Sequence, residues 1–167
     1  MDPVYAKLLS QVVSICRRAL VDAPAVRERL AKRGLAEAAL LDRFQIGWAP
    51  GTLPSLARGE VLRQLQVLGL LDAEGHERLA GCIVLPVFDE TGAVVQIAAY
   101  AEDGRILWLF PDETPVFWNA ACLGTAREVS LAPDPLAGLI EIARGTEAVI
   151  APAGPGKRPR IAGVCCG

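Results

Sequence analysis

The sequence predicts an α+β fold with N-terminal helices, a central antiparallel sheet and a short C-terminal β-α-β unit. Over the first 70 positions, apolar residues recur mainly at the three- and four-residue spacing of a helix. Between residues 82 and 110 they instead form short runs rich in β-branched and aromatic side chains, which is typical of strands. After residue 127 a strand, a helix and another strand follow one another, and this order favours a small parallel sheet.

Four helices are predicted before residue 72, and they cover 4–21, 25–33, 36–44 and 57–71. The second helix is expected to follow an Asp22 cap and Pro24, and to end at Gly34, which suits a left-handed stop. The fourth helix is expected to turn one face inward, with Val61, Leu65, Leu68 and Leu71 on it.

The middle of the chain predicts a hairpin. Strands over 82–89 and 93–100 flank the turn sequence DETG, and a third strand is expected over 105–110. The segment 111–119 is predicted to be an ordered loop. The C-terminal unit is predicted as a strand over 128–132, a helix over 133–145 and a strand over 147–152.

Composition limits the classes of function. With 17 basic and 19 acidic residues the formal charge is only −2, so a nucleic-acid surface would have to be a local patch. Five cysteines without a CxxC pair, and a single histidine, argue against a zinc ribbon. Cys82 and Cys122 are expected to be small core residues in a reducing cytoplasm. Without a long apolar run or a signal peptide, we expect a cytoplasmic protein with no membrane contact.

Three strings in a fixed order carry a family resemblance: RERLAKRGLAEAALLDRFQIGWAPGT, LGLLDAEGHERLAGCIVLPVFDETGAVV and LFPDETPVFWNAACL. Together, from about residue 27 to 123, they resemble the core of bacterial DnaG-type DNA primases, in a branch like those of mobile elements. The resemblance implies a primase-core N-terminal-like domain over 1–126 and a truncated TOPRIM-like segment over 127–167. The central sheet would then be of the primase-core type, and the β-α-β unit would be TOPRIM-like.

The resemblance also implies acidic residues that this chain lacks. A TOPRIM site has a Glu after its first strand and a DxD pair after a later one, since grouped carboxylates hold divalent cations. Ala132 or Pro133 stands where the Glu is expected, and Ala137 stands at a further acidic position of the family. The DxD strand would align with 161–167, which contains no carboxylate. Asp134 is better explained as an N-cap than as a metal ligand. We therefore expect no catalytic residue, no metal and no cofactor in this chain.

Candidate nucleic-acid contacts are basic or aromatic: His76, Arg78, Arg105, Trp118, Lys157, Arg158 and Arg160. The arginines and the lysine would contact phosphates, and Trp118 is expected to be exposed and able to stack on a base, whereas Trp108 is expected in the core. A second basic group on the second predicted helix consists of Arg27, Arg29, Lys32 and Arg33. It is interpreted either as a phosphate-contacting face or as a solvated helix face, with the second slightly favoured.

Three functional hypotheses follow. The first is an inactive primase-like subunit that binds single-stranded DNA or RNA or takes part in an assembly. The second is an active primase component completed by another chain. The third is a structural subunit that binds a protein through an exposed sheet edge.

Overall fold

The computed structural model of the protein describes residues 2–111 and 116–155. Within these residues the helices are α1 (Pro3–Val21), α2 (Pro24–Lys32), α3 (Ala38–Arg43), α4 (Leu53–Leu56), α5 (Gly59–Val67) and α6 (Pro135–Ala143). The strands are β1 (Gly47–Trp48), β2 (Ile83–Phe88), β3 (Val94–Tyr100), β4 (Ile106–Trp108), β5 (Val116–Trp118), β6 (Ser130–Leu131) and β7 (Val149–Ala153). A 3-10 helix covers Ala120–Gly124. The predicted mixed α+β class is confirmed.

Helix α1 begins where the sequence provides both a cap and a proline. The side chain of Asp2 accepts a hydrogen bond of 2.8 Å from the Val4 backbone N–H, and Pro3 occupies the first turn, where its missing N–H costs nothing. The buried face of the helix has the three- and four-residue spacing expected of an amphipathic helix: Leu8, Leu9, Val12, Val13, Cys16 and Leu20.

Three details of the predicted helices are wrong. Asp22 does not cap α2; it closes α1, and its backbone N–H donates to the carbonyl of Arg18, while Ala23 takes the cap position without a side-chain bond. The helix predicted over 57–71 is shorter, since α5 covers only Gly59–Val67 and α4 (Leu53–Leu56) lies before the predicted range. The two helices are separated because Ala57 and Arg58 are extended, with ψ angles of 148° and 151°. Val61, predicted to face inward, is 42% exposed.

The first sheet has the order β1-β2-β3-β4, and all its neighbours are antiparallel. The predicted hairpin is its centre, with Ile83 opposite Tyr100 and Pro86 opposite Ile97. Its turn is held by the Asp89 carboxylate, which accepts hydrogen bonds from the backbone N–H groups of Thr91 and Ala93 at 2.9 and 3.0 Å. This local bonding accounts for a turn that sequence alone could predict.

The second sheet has the order β5-β7-β6. Strands β6 and β7 are parallel and α6 connects them, so the predicted β-α-β unit is confirmed. Gly145, with a φ of +104°, follows the end of α6 as expected. The segment predicted as an ordered loop instead contributes β5, which pairs antiparallel with β7. That pairing joins segments more than 30 residues apart, so the local sequence did not indicate it.

Both faces of the first sheet are covered. Val84, Ile97 and Ala99 belong to a core shared with α1 and α5. Leu85 and Ala98 point the other way, into a core shared with α2, α3 and the second sheet. A sheet buried on two faces needs apolar side chains at successive positions, which explains the continuous apolar run of β2. No helix in the described ranges has the length and apolar character needed to cross a bilayer.

Candidate nucleic-acid interface

A small cleft lies at one end of the first sheet, between α2 and the start of α6. We call it the sheet-end cleft, and it is lined by Arg29, Leu30, Arg33, Gly81, Ile83, Tyr100, Ala101, Glu102 and Leu136. The cavity volume is about 50 Å³, which is room for one small group such as a phosphate and not for a whole nucleotide. The antiparallel order places the start of β2 beside the end of β3 here, so chain-distant residues meet.

The cleft carries positive charge from α2. Arg29 and Arg33 are four residues apart and therefore lie on the same face of the helix. Arg29 pairs with Glu102, with 2.6 Å between Nη1 and Oε1, but both side chains are largely exposed and such a pair contributes little. Within residues 2–111 and 116–155, Arg33 forms no ion pair. An anion entering the cleft would therefore meet the guanidinium of Arg33 and that of Arg29, the latter beside the Glu102 carboxylate.

Arg105, one of the predicted contacts, lies in the turn between β3 and β4 at the same end of the sheet. Its Nε donates to Oδ2 of Asp103 at 2.6 Å, and the guanidinium is largely exposed. The Arg105 backbone N–H, which donates to Oδ1 of Asp103 at 3.1 Å, lowers the pKa of Asp103, and the side-chain hydrogen bond adds to this effect. Arg105 is thus near the sheet-end cleft in the fold, although it does not line it.

Tyr100 connects the two sheets beneath this cleft. Its hydroxyl donates to Oδ1 of Asp134 at 2.9 Å and accepts a hydrogen bond of 2.9 Å from the Leu136 backbone N–H. The same Asp134 oxygen accepts from the Ala137 N–H at 3.0 Å. Burial, reinforced by the Asp134 charge, raises the pKa of Tyr100, so the hydroxyl keeps its proton and remains a donor.

These bonds decide what Asp134 can do. The carboxylate is the N-cap of α6, as the sequence predicted, and one of its oxygens receives two hydrogen bonds. Ala132, beside it at the end of β6, is buried and has no ligand atom. In the described part of the chain, no three His, Cys, Asp or Glu side chains are grouped so that they could hold a metal ion. The donor set here does not fit a divalent cation.

Tyr100→Phe is expected to destabilise the protein by about 1–3 kcal/mol, because it removes two hydrogen bonds and leaves the buried Leu136 N–H without a partner. Urea denaturation followed by circular dichroism would measure the change. Asp134→Ala is expected to cost about 0.5–2 kcal/mol through loss of the cap, whereas Asp134→Asn preserves a capping oxygen and is expected to change little. A free energy of unfolding for Tyr100→Phe within 0.3 kcal/mol of the wild-type value would contradict the role of Tyr100 in connecting the two sheets.

The remaining predicted contacts lie elsewhere. His76 is exposed, with its Nδ1 3.3 Å from Oδ2 of Asp72, and Arg78 donates from Nη1 to the Gly69 carbonyl at 2.8 Å. Neither lines the sheet-end cleft. The backbone N–H of His76 donates to the Asp72 carboxylate at 2.7 Å and lowers its pKa. The pair His76 and Arg78 thus stays a prediction for a separate surface.

Trp118 was predicted to be exposed, and this is wrong. It is only 2% exposed, and its ring packs against that of Phe44 with 4.9 Å between centroids. The reason is β5: once Val116–Trp118 pairs with β7, the tryptophan points into the core between the two sheets. Cys82 is buried as predicted, whereas Cys122, also predicted in the core, is only half-buried. Trp108, expected in the core, is half-buried on β4.

The three remaining predicted contacts, Lys157, Arg158 and Arg160, lie outside the described residues. Sequence reasoning did identify Arg29 and Arg33 as part of a basic helix, but favoured a solvated face. Their four-residue spacing was the available signal for a shared face. Tyr100 was not recognised as a junction residue, since its partners are 34 and 36 positions away.

Comparison with solved structures identifies the fold, whereas comparison with protein families and curated proteins does not. No protein-family model matches the chain. No curated protein matches it either.

Solved structures do match. The DnaG catalytic core superposes with a TM-score of 0.75 at 20% identity, covering 90% of this chain and 54% of that one. The DnaG primase catalytic domain bound to ssDNA gives 0.75 at 18% identity with the same coverage. A DNA primase domain from Pseudomonas aeruginosa gives 0.71 at 19%, covering 90% and 54%. The chain therefore has a DnaG-type primase core fold, and it spans about half the length of these structures.

Proposed function

We propose, from the DnaG-type primase core fold of this chain, that it is a primase-like module that binds single-stranded nucleic acid and does not itself hold catalytic metal ions. The proposal that the chain does not hold catalytic metal ions rests on the bonding of the Asp134 carboxylate. This carboxylate lies just after Ala132 and Pro133, where the resemblance places a metal-binding acid, but it caps α6 and accepts a hydrogen bond from the Tyr100 hydroxyl. Such a chain would act as a binding or assembly subunit of a larger complex.

The sheet-end cleft supports the proposed binding of single-stranded nucleic acid. Arg29 and Arg33 lie on one face of α2, and a cleft with room for one phosphate lies between them and Tyr100. The guanidinium group of an arginine can donate two hydrogen bonds to phosphate oxygens, and such a contact to the nucleic-acid backbone is independent of the base sequence. One solved structure with the same fold is described as bound to ssDNA, and another, from Mycobacterium tuberculosis, as a complex with double-stranded DNA.

We also propose that residues from 127 onward form the beginning of a TOPRIM-like unit. The parallel β6-α6-β7 arrangement supports this assignment. Strand β5, from before residue 126, adds to the same sheet, so the two units would share it. The N-terminal unit over 1–126 would provide the basic cleft, and the TOPRIM-like unit would serve as a scaffold.

Nucleic-acid binding can be tested by titrating a labelled oligothymidine into the purified chain at several salt concentrations. Arg29→Ala/Arg33→Ala is expected to weaken binding and to reduce the slope of log K against log salt by about 1.4, since each single-strand phosphate contact contributes about 0.7. Lys7→Ala/Arg63→Ala is the charge-matched control, because Lys7 and Arg63 are exposed residues of α1 and α5 outside the cleft. It is expected to leave both affinity and slope close to wild type.

Two results would overturn the proposal. Salt-sensitive binding unchanged in Arg29→Ala/Arg33→Ala would move the nucleic-acid site away from the cleft. Primer synthesis on single-stranded DNA by the isolated chain with Mg²⁺ or Mn²⁺, lost in Asp134→Asn, which keeps the cap, as well as in Asp134→Ala, would show that the chain performs metal-dependent chemistry through this carboxylate. It would thereby support the hypothesis of an active primase component.

A protein-binding structural subunit is the second candidate, and the sheet order favours it. Strand β6 has one neighbour, β7, among the described strands, so its other edge presents backbone N–H and carbonyl groups. No oligothymidine binding at low salt, together with a stable hetero-complex that contains this chain, would support this candidate over the nucleic-acid module.

A further inference from the structure

We propose that a second pocket, formed by the three N-terminal helices, binds an acidic peptide of a partner protein that inserts one aliphatic side chain. We call it the helical pocket, and it is lined by Ser14, Arg17, Arg18, Leu20, Val21, Arg27, Ala38, Leu41, Asp42 and Ile46. Its volume is about 480 Å³, within the range of pockets that hold small ligands or peptide side chains. It plays no part in the function proposed above.

The helical pocket and the sheet-end cleft lie on opposite faces of α2. Arg27 lines the pocket, whereas Arg29 lines the cleft. Two residues correspond to about 200° of rotation around a helix, so the two arginines point in nearly opposite directions. A ligand in one site would not contact the other, and each can be removed by substitution without altering the other.

The charge of the helical pocket predicts that its ligand is acidic. Three arginines line the pocket, and only one carboxylate, Asp42, faces them. Asp42 pairs with Arg17, which is about two-thirds buried and is thereby held in place. Arg18 and Arg27 are exposed and form no ion pair within the described residues. In a protein of net charge −2, this is a local concentration of cations that favours carboxylates.

The apolar floor of the helical pocket predicts that its ligand also carries an aliphatic side chain. Leu20, Leu41 and Ile46 are buried beneath it, and Val21 at its mouth is 66% exposed. The side chains that line it include no aromatic ring on which a base could stack, and Ser14 is the only uncharged polar one. A nucleotide would therefore find phosphate contacts but little to hold its base. An aliphatic side chain flanked by Asp or Glu matches both the floor and the rim.

Binding can be tested with labelled eight-residue peptides in which one Leu is flanked by Asp and Glu, and with matched peptides in which Ser replaces the Leu. Fluorescence anisotropy would give affinities, and amide chemical shifts of the 167-residue chain would locate the site. We expect the Leu peptide to bind and to shift amides of α1, α2 and α3. The Ser peptide is expected to bind at least fivefold more weakly, because the apolar floor stays exposed to water.

Variants test the charge requirement. Arg18→Ala/Arg27→Ala is expected to weaken the Leu peptide about tenfold by removing two ion pairs that the ligand would form. Lys7→Ala/Arg63→Ala removes the same charge from exposed sites outside the pocket and is expected to have no effect.

Three outcomes would overturn the proposal: no detectable binding of the Leu peptide, equal binding of the Ser peptide, or insensitivity to Arg18→Ala/Arg27→Ala. Oligothymidine that shifts the same amides and loses affinity in that double variant, while the peptide does not bind, would assign the pocket to nucleic acid instead. The Arg29→Ala/Arg33→Ala result does not bear on this test, so the two proposals can fail separately.

Discussion

Replacing Gly47 with alanine is expected to destabilise the protein by about 3 kcal/mol or more, the upper end of the usual cost of overpacking. Gly47 begins β1 and lies directly against α1. A Cβ at this position would be 2.6 Å from the Cβ of Cys16 and 2.7 Å from its backbone carbon. Because backbone atoms are among the nearest neighbours, either the helix or the strand must shift. Urea denaturation would measure the loss.

The same contact makes a sharp control possible. Cys16→Ala keeps the Cβ and the backbone, so the double variant Gly47→Ala/Cys16→Ala is expected to be no more stable than Gly47→Ala alone. Gly124→Ala is the matched glycine control, because a Cβ there would have no other atom within 4 Å. It is expected to change stability by less than about 0.5 kcal/mol. A stable Gly47→Ala protein would contradict the close approach of β1 to α1.

Trp118→Ala is expected to cost about 3–5 kcal/mol, the range for removing a buried tryptophan. The side chain fills space between Phe44 and α6. A Cβ at Gly138 would lie 3.0 Å from Cζ3 of Trp118, so the helix approaches the ring where α6 has no side chain. Truncating the ring would leave a cavity in the core that joins the two sheets. Denaturation of Trp118→Ala, with half-buried Trp108→Ala as the comparison, would test this, and the latter is expected to lose less.

Trp118→Ala also separates two roles of the ring. As a core residue, Trp118 affects stability first, and nucleic-acid affinity at a temperature where the variant is folded is expected to stay near wild type. A variant with nearly unchanged stability but clearly reduced oligothymidine affinity would restore the base-stacking role predicted from the sequence.

The fold was predictable where the deciding interactions are local. The spacing of apolar residues in α1, the Asp89 turn and the Asp134 cap each involve residues within four positions of one another, and all three were expected. Errors arose where a distant segment decided the outcome. Strand β5 exists because β7 pairs with it. The extended residues Ala57 and Arg58, which separate α4 from α5, are a local feature that the spacing of apolar residues did not indicate.

The candidate site was predictable in part. The basic residues of α2 and the alanines at positions 132 and 137, where the resemblance implies acidic residues, were visible in the sequence, since residue type alone carries that information. The sequence did not show which of these arginines share a surface. Arg29 and Arg33 face Tyr100 and Glu102 across the sheet-end cleft, whereas Arg27 faces Arg17 and Arg18 in the helical pocket, and only packing separates them.

By itself, the sequence determined the α+β class, the order of most elements and the presence at position 132 of an alanine, which has no ligand atom. These depend on periodicity, capping and residue chemistry, which act over a few positions. Only the tertiary structure decided that Trp118 is core, that Gly47 has no room for a side chain and that Tyr100 occupies the Asp134 carboxylate. Each of these results from contact between residues at least 20 positions apart, and single-sequence patterns do not encode such contacts.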